Sequence, residues 1–117
     1  MDELNLTIDF SEKEDKLGII NSFEYALGIP LSQRGSWDAF SDNLRSLDTE
    51  SEVIRARNPK SLHLVLKDIG DFEQRCRNIN SNDYNNFLSV LSNATDKSQR
   101  YDKIDFTYEI ANRIDGN

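Results

Sequence analysis

The protein has 117 residues, and its 21 acidic side chains outnumber its 14 basic ones, which gives a net charge of −7 at pH 7. A chain of this length supports one hydrophobic core, so we predict a single domain over residues 1–117. The acidic balance argues against nucleic-acid binding, which requires basic surface, and favours a basic protein as the partner. Most of this acidity lies in residues 1–52, which carry 12 acidic and 4 basic side chains.

The chain has one cysteine, Cys76, and one histidine, His63. These numbers exclude a disulfide within the chain and a metal site built from cysteines, and we expect neither a metal nor a cofactor. The amino-terminal residues lack the basic start and the apolar run of a signal peptide, and apolar runs such as residues 64–66 are far too short to cross a membrane. We therefore expect a soluble protein of a reducing cytoplasm that does not contact the membrane.

A strand and then a helix are predicted at the start of the chain. Apolar and polar side chains alternate over residues 4–10, which is typical of a half-buried strand. Ser11 and Glu14 have the spacing of a capping box, so a helix is predicted from there to Leu27. Gly28 is placed to end this helix.

A second helix is predicted to follow a loop at residues 30–36. Ser36 is placed to cap it, because a serine hydroxyl can accept a hydrogen bond from a free N–H of the first turn. Apolar residues then recur at helical spacing and predict one buried stripe: Trp37, Phe40, Leu44 and Leu47. The next residues, 48–61, are polar and are predicted to form an irregular connection with a short ordered piece at residues 53–54.

The second half of the chain predicts two strands with helices between them. Residues 62–66 are apolar with little alternation, which predicts a strand buried on both faces of a sheet. Helical patterns follow at residues 69–76 and 82–94. Alternation over residues 104–110 predicts the last strand.

The predicted order of elements is β-α-α-β-α-α-β. Helices between strands favour parallel pairing with right-handed crossovers. We therefore predict an α/β fold in which a three-stranded parallel sheet, in the order 1-2-3, packs against about four helices.

Asp38 and Asp42 lie four residues apart on the predicted second helix, on the face opposite its apolar stripe. Spacing alone favours a structural interpretation of both. Asp38 lies in the first turn, where the helix dipole stabilises an anion, and Asp42 can pair with Arg45 three residues later. Trp37 is interpreted as a core residue because it begins the apolar stripe.

Other features of the sequence also have structural interpretations. His63 is interpreted as a packed or partly exposed histidine of the central strand, since no nucleophile motif surrounds it. Cys76 is interpreted as a small buried apolar residue. Arg55, Arg57 and Lys60 form a short basic run, which is interpreted as part of a solvated loop.

Taken together, these segments resemble the barstar family of ribonuclease inhibitors. The resemblance is most specific over residues 26–30, Ala-Leu-Gly-Ile-Pro, and residues 37–44, Trp-Asp-Ala-Phe-Ser-Asp-Asn-Leu, with a short loop between them. Residues 62–67 resemble the central strand of the family, and the order of elements agrees over nearly the whole chain.

The resemblance implies an immunity protein, not an enzyme, that binds a basic ribonuclease toxin and blocks its active site with an acidic helix. It also implies a cytoplasmic protein of a toxin–antitoxin or contact-dependent inhibition system, monomeric alone and heterodimeric with the toxin. Asp38 and Asp42 would be the inhibitory carboxylates. The other toxin-binding residues would lie in the preceding loop and on the same helix: Arg34, Gly35, Ser36 and Ser41.

The sequence differs from the family pattern at several of these contacts. Ser41 and Asn93 replace an aromatic and an acidic contact residue, and the loop before the helix lacks the tyrosines of the family. Two alternatives therefore remain open. One is an immunity protein against another toxin, such as a DNase. The other is a small α/β enzyme or ligand-binding domain with a pocket at the carboxyl ends of its strands.

Overall fold

The computed structural model describes residues 2–31 and 35–112. Over these ranges the chain forms three strands, six α-helices and one 3₁₀ helix at Lys97–Gln99. The strands are β1 (Glu3–Asp9), β2 (Ser61–Lys67) and β3 (Asp105–Ala111). The helices are α1 (Lys16–Leu27), α2 (Trp37–Arg45), α3 (Leu47–Glu50), α4 (Glu52–Arg57), α5 (Gly70–Asn78) and α6 (Asp83–Thr95).

The three strands form one parallel sheet in the order β1-β2-β3, which confirms the predicted fold class and strand order. Leu62 of β2 is level with Leu4 of β1 and with Phe106 of β3. These three side chains are buried on one face of the sheet. The register therefore places the apolar positions of all three strands in one core.

The prediction that the central strand is buried on both faces was wrong. Leu62, Leu64 and Leu66 are fully buried, but Ser61 and His63 alternate with them and are only partly buried. The helices contribute their apolar residues to the core on the leucine side of the sheet. The opposite face carries exposed polar residues on both edge strands: Asn5, Thr7, Thr107 and Glu109.

Helix α1 begins later than predicted. Asp15 caps it by accepting a hydrogen bond from the N–H of Gly18 at 2.7 Å, so the predicted capping box of Ser11 and Glu14 is wrong. The Ser11 hydroxyl lies instead 2.6 Å from the Asp9 carboxylate. The end of the helix is as predicted, because Gly28 adopts the left-handed conformation with a φ of +65°.

The polar segment predicted to be irregular contains two short helices, α3 and α4, so six helices are present in the described residues instead of about four. Ser51 caps α4 through its hydroxyl, which accepts a hydrogen bond from Ile54 at 3.1 Å. Helices of four and six residues are too short to display an apolar period, which explains why the pattern indicated only a short ordered piece at residues 53–54, within α4.

A cluster of aromatic rings fixes α2 against α1 and α6. The ring of Phe23 on α1 lies 5.1 Å from that of Phe40 on α2 and 5.9 Å from that of Phe87 on α6. All three rings are almost completely buried. Within the described ranges, each helix is too short or too polar to span a bilayer.

Candidate functional site

Helix α2 presents one side to the core and the other to solvent. Ser36 caps the helix as predicted, since its hydroxyl accepts a hydrogen bond from Ala39 at 3.3 Å. Phe40 and Leu44 are buried on the inner side. Asp38 and Asp42 are exposed. The buried apolar side chains thus fix the helix to the core, and both predicted carboxylates lie on its outer side.

The two carboxylates differ in their surroundings. No residue of the described ranges forms a hydrogen bond or an ion pair with the Asp38 side chain. Asp42 accepts a hydrogen bond from Arg45 at 2.7 Å, and its side chain is 65% exposed. The pairing anticipated from the i,i+3 spacing is therefore present, and no cation of the described residues pairs with Asp38.

Arg45 connects α2 to the segment that precedes β3. Its guanidinium carbon lies 4.7 Å from the centre of the Tyr101 ring, and its Nη1 lies 3.5 Å from the carbonyl oxygen of Gln99. The Arg45 side chain is only 16% exposed. Because Arg45 is held from two sides, it holds the Asp42 carboxylate in one orientation at the protein surface.

An open groove of about 630 Å³ lies beside Asp38, between α2 and α6. Small polar residues dominate its walls, and Ser41 is among them. Its lining residues are Lys16, Ser36, Trp37, Asp38, Ser41, Asn86, Ser89, Val90 and Asn93. The groove therefore brings three predicted site residues, Ser36, Asp38 and Ser41, together with α6, which begins 46 residues after the start of α2.

The sequence analysis named Asn93 of the α6 wall through the family resemblance, but it missed Asn86 and Ser89. Asn86, Ser89 and Asn93 are exposed and follow one another at spacings of three and four residues. This spacing places them on one side of α6, away from buried Phe87 and Leu91. A search for polar residues at helical spacing could have found them, but it could not have paired them with α2.

Trp37 is half-buried, as a residue of the apolar stripe should be, and it also makes a polar contact. Its indole N–H donates to Asp83 at 3.0 Å, which connects the start of α2 to the start of α6. Its ring lies 6.1 Å from that of Phe40 and 6.2 Å from that of Phe87. Trp37 thus fixes the distance between the two walls of the groove.

The loop before α2 is only partly described. Gly35 is buried with a φ of +59°, and a Cβ atom there would lie 3.3 Å from Leu17 Cδ1. It can therefore determine the path of the loop but offers little surface to a partner. Arg34, another predicted contact residue, lies outside the described residues.

His63 and Cys76 lie where their structural interpretations predict. His63 is partly exposed on the open face of the sheet, with Nδ1 2.7 Å from Thr107 Oγ1 and Nε2 3.0 Å from Glu109 Oε1. Cys76 is a free thiol buried in the core. Neither residue lines the groove beside α2.

The carboxyl ends of the strands, where the alternative hypothesis places a pocket, carry a polar cluster. The Ser11 hydroxyl lies 2.6 Å from Asp9 Oδ1 and 3.1 Å from Asp68 Oδ2, and the N–H of Glu12 donates to Asp71 at 3.4 Å. Asp68 is buried. No group of three or more histidines, cysteines and carboxylates in residues 2–31 and 35–112 is arranged to hold a metal ion.

Comparison with known proteins identifies one family. A family model described as barstar (barnase inhibitor) matches residues 4–111, which is nearly the whole chain. Comparisons with curated proteins and with solved structures gave no significant match. The family match agrees with the three-stranded parallel sheet and with the order of its elements. The chain therefore belongs to the barstar family of ribonuclease inhibitors.

Proposed function

We propose that this protein is an immunity protein that binds a basic ribonuclease toxin and blocks its active site with the outer side of α2. The observation that carries the proposal is the exposed pair Asp38 and Asp42 on a helix fixed to the core through Phe40 and Leu44. A ribonuclease binds the phosphates of RNA with cationic side chains, and two carboxylates on a rigid helix can occupy the same cations. The inhibitor would act in the cytoplasm as a heterodimer with its toxin.

The two carboxylates would contribute in different ways. Asp38 has no cationic partner among the described residues, so it can give its whole charge to a cation of the toxin. Asp42 is already bonded to Arg45 through Oδ1, which restricts its side chain before the toxin arrives. A restrained side chain loses less conformational entropy on binding, and this favours affinity.

The groove between α2 and α6 would be the second part of the contact surface. Ser41 and Asn93 are short side chains at its walls, so the groove is open at the positions where the family pattern has larger contact residues. Asp38 gives it one carboxylate and Lys16 one cation. We propose that this different contact surface selects a toxin other than the usual microbial ribonuclease.

Long-range attraction would precede the close contacts. The net charge of −7 attracts a basic toxin and raises the rate of association, and salt weakens this attraction within a Debye length of about 8 Å at physiological ionic strength. Docking of α2 would then exclude water from the carboxylates and strengthen their hydrogen bonds.

The proposal can be tested by capturing the toxin. A tagged copy of the protein is expressed in its native host, and the basic protein that co-purifies is assayed for RNA cleavage before and after the complex is denatured and separated. Cleavage that appears only after separation, and that stops when the protein is added back, supports inhibition. A partner that cleaves only DNA would assign the DNase alternative, and a partner without nuclease activity would contradict the proposal.

The site is tested in the same assay. The double substitution Asp38→Ala and Asp42→Ala is compared with Glu3→Ala and Glu14→Ala, which removes two exposed carboxylates elsewhere and changes the net charge equally. Loss of inhibition by the first variant alone supports docking through α2. Equal inhibition by the two variants would contradict the proposed site.

A further inference from the structure

The basic run at residues 55–60 is not used by the proposed toxin contact, and the fold places it beside a second basic segment. Arg55 and Lys60 line a cleft together with Tyr101 and Lys103, which precede β3. These two segments are joined by a hydrogen bond of 3.0 Å from the N–H of Asp105 to the carbonyl oxygen of Lys60. The cleft thus lies at the amino ends of β2 and β3.

The cleft has an apolar interior and a cationic border. Ile54, Pro59 and Ile104 are buried residues of its lining. The three cations are exposed, and neither Arg55 nor Lys103 pairs with an acid in the described part of the chain. The third cation, Lys60, lies 3.8 Å from Asp2, but both side chains are almost fully exposed, so this pair holds Lys60 only weakly.

Two carboxylates also line the cleft, and they differ in availability. The Asp102 side chain is completely buried, and its oxygens accept hydrogen bonds from Arg100 and from backbone N–H groups, so its negative charge is offset within the protein. Asp48 is exposed. The charge presented to solvent by the lining is therefore positive, on a protein whose net charge is negative.

We propose that this cleft binds a small phosphate ester of nucleotide size. Its volume of about 390 Å³ falls in the range of small-ligand sites, roughly 300–1,000 Å³. Guanidinium and ammonium groups are the cations that proteins use for phosphate, and Arg55 can bond two phosphate oxygens at once. The exposed ring of Tyr101 and the apolar interior offer a surface for a flat ring such as a base.

The cleft and the groove between α2 and α6 share no lining residue, although Tyr101 of the cleft contacts Arg45, which pairs with Asp42. Ligand binding can therefore be measured on the protein alone, without the toxin. The net charge of −7 favours a small ligand over a long nucleic acid, since a nucleic acid requires an extended basic surface that contacts many phosphates.

The experiment is calorimetric titration of the protein with ADP, inorganic pyrophosphate and adenosine in magnesium-free buffer. We expect saturable binding of ADP and pyrophosphate and none of adenosine. Arg55→Ala and Lys103→Ala should each weaken ADP binding by about tenfold, because each removes a charge-assisted hydrogen bond. Asp48→Asn should strengthen it, because it removes the exposed carboxylate.

Arg57→Ala is the matched control, because Arg57 is exposed on the same short helix but does not line the cleft. This variant should bind ADP as the unsubstituted protein does. Equal weakening by Arg57→Ala and Arg55→Ala would overturn the proposal in favour of general charge attraction. An absence of saturable binding of both ADP and pyrophosphate would also overturn it.

Discussion

Arg100 and Asp102 form an ion pair that is almost completely removed from solvent: Nε of Arg100 lies 2.7 Å from Oδ1 of Asp102, and the side chains are 1% and 0% exposed. Arg100 also donates to the carbonyl oxygen of Ala94 at 2.8 Å, near the end of α6. Asp102 accepts from the N–H of Leu47 at 2.9 Å and from that of Ile104 at 3.1 Å. The pair therefore connects α3, α6 and the start of β3.

Asp102→Ala is expected to destabilise the protein by about 3–5 kcal/mol, because it leaves the buried Arg100 cation without a carboxylate to offset its charge. Chemical denaturation monitored by circular dichroism measures this change in the free energy of unfolding. Asp105→Ala is the control, since it breaks the exposed pair with Lys97 at 2.9 Å and should cost less than about 1 kcal/mol. Similar losses in the two variants would contradict a structural role for the buried pair.

Asp38→Ala and Asp42→Ala are each expected to weaken toxin binding by about 2–5 kcal/mol, because each leaves a desolvated cation of the toxin unpaired. The loss should appear mainly as faster dissociation in surface plasmon resonance with the captured toxin. The free energy of unfolding of the free protein should change little for Asp38→Ala, and by less than about 1 kcal/mol for Asp42→Ala, which breaks a partly exposed pair with Arg45. A slower association rate with unchanged dissociation would assign these residues to steering alone.

Gly35→Ala is expected to destabilise the protein by about 1–2 kcal/mol, because an L-residue at a φ of +59° is strained and its Cβ would press on Leu17. Thermal denaturation measures the loss. Gly70→Ala is the comparison, since its new Cβ would lie in ordinary contact with Asn112 at 3.6 Å at the start of α5. That change should be neutral or slightly stabilising, and a loss as large as that of Gly35→Ala would argue against backbone strain as the cause.

The folded protein is expected to lose stability at high pH through Tyr84. Burial of its hydroxyl, and then the nearby Glu73 carboxylate, raise the pKa of Tyr84 above its usual value. Ionisation is therefore more difficult in the folded than in the unfolded state. The contribution of Tyr84 to the free energy of unfolding is fully present below about pH 10, the pKa of tyrosine in the unfolded chain. It declines as the pH rises through the pKa of Tyr84 in the folded protein. Unfolding free energies measured on both sides of pH 10 should decline more steeply for the unsubstituted protein than for Tyr84→Phe.

Much of the fold was predicted from local patterns. Alternation identified β1 and β3, and helical spacing identified α2, α5 and α6, with ends within about two residues of those observed. The pattern was insufficient to predict the burial of β2, because a run of apolar residues does not show whether one or both faces of a strand are covered. His63 is partly exposed because no helix of the described chain covers its side of the sheet.

Local sequence patterns predicted only the part of the candidate site that lies on α2. The amphipathic pattern of α2 indicated that Asp38 and Asp42 lie outside the core, and the i,i+3 spacing indicated the pair with Arg45. It did not indicate that Tyr101 covers Arg45, or that Asn86 and Ser89 form the second wall of a groove.

The sequence by itself determined the strands, most of the helices and the exposed side of α2. Buried positions recur along a helix or a strand with the period of that element, so the spacing of apolar residues identifies both the element and its buried side. The tertiary structure alone decided which distant segments meet. It paired α2 with α6, it buried Arg100 and Asp102 together, and it placed Arg55 beside Lys103. Contacts of this kind depend on how whole elements pack. The sequence around a polar residue in a connection looks the same whether its side chain is solvated or forms a buried ion pair.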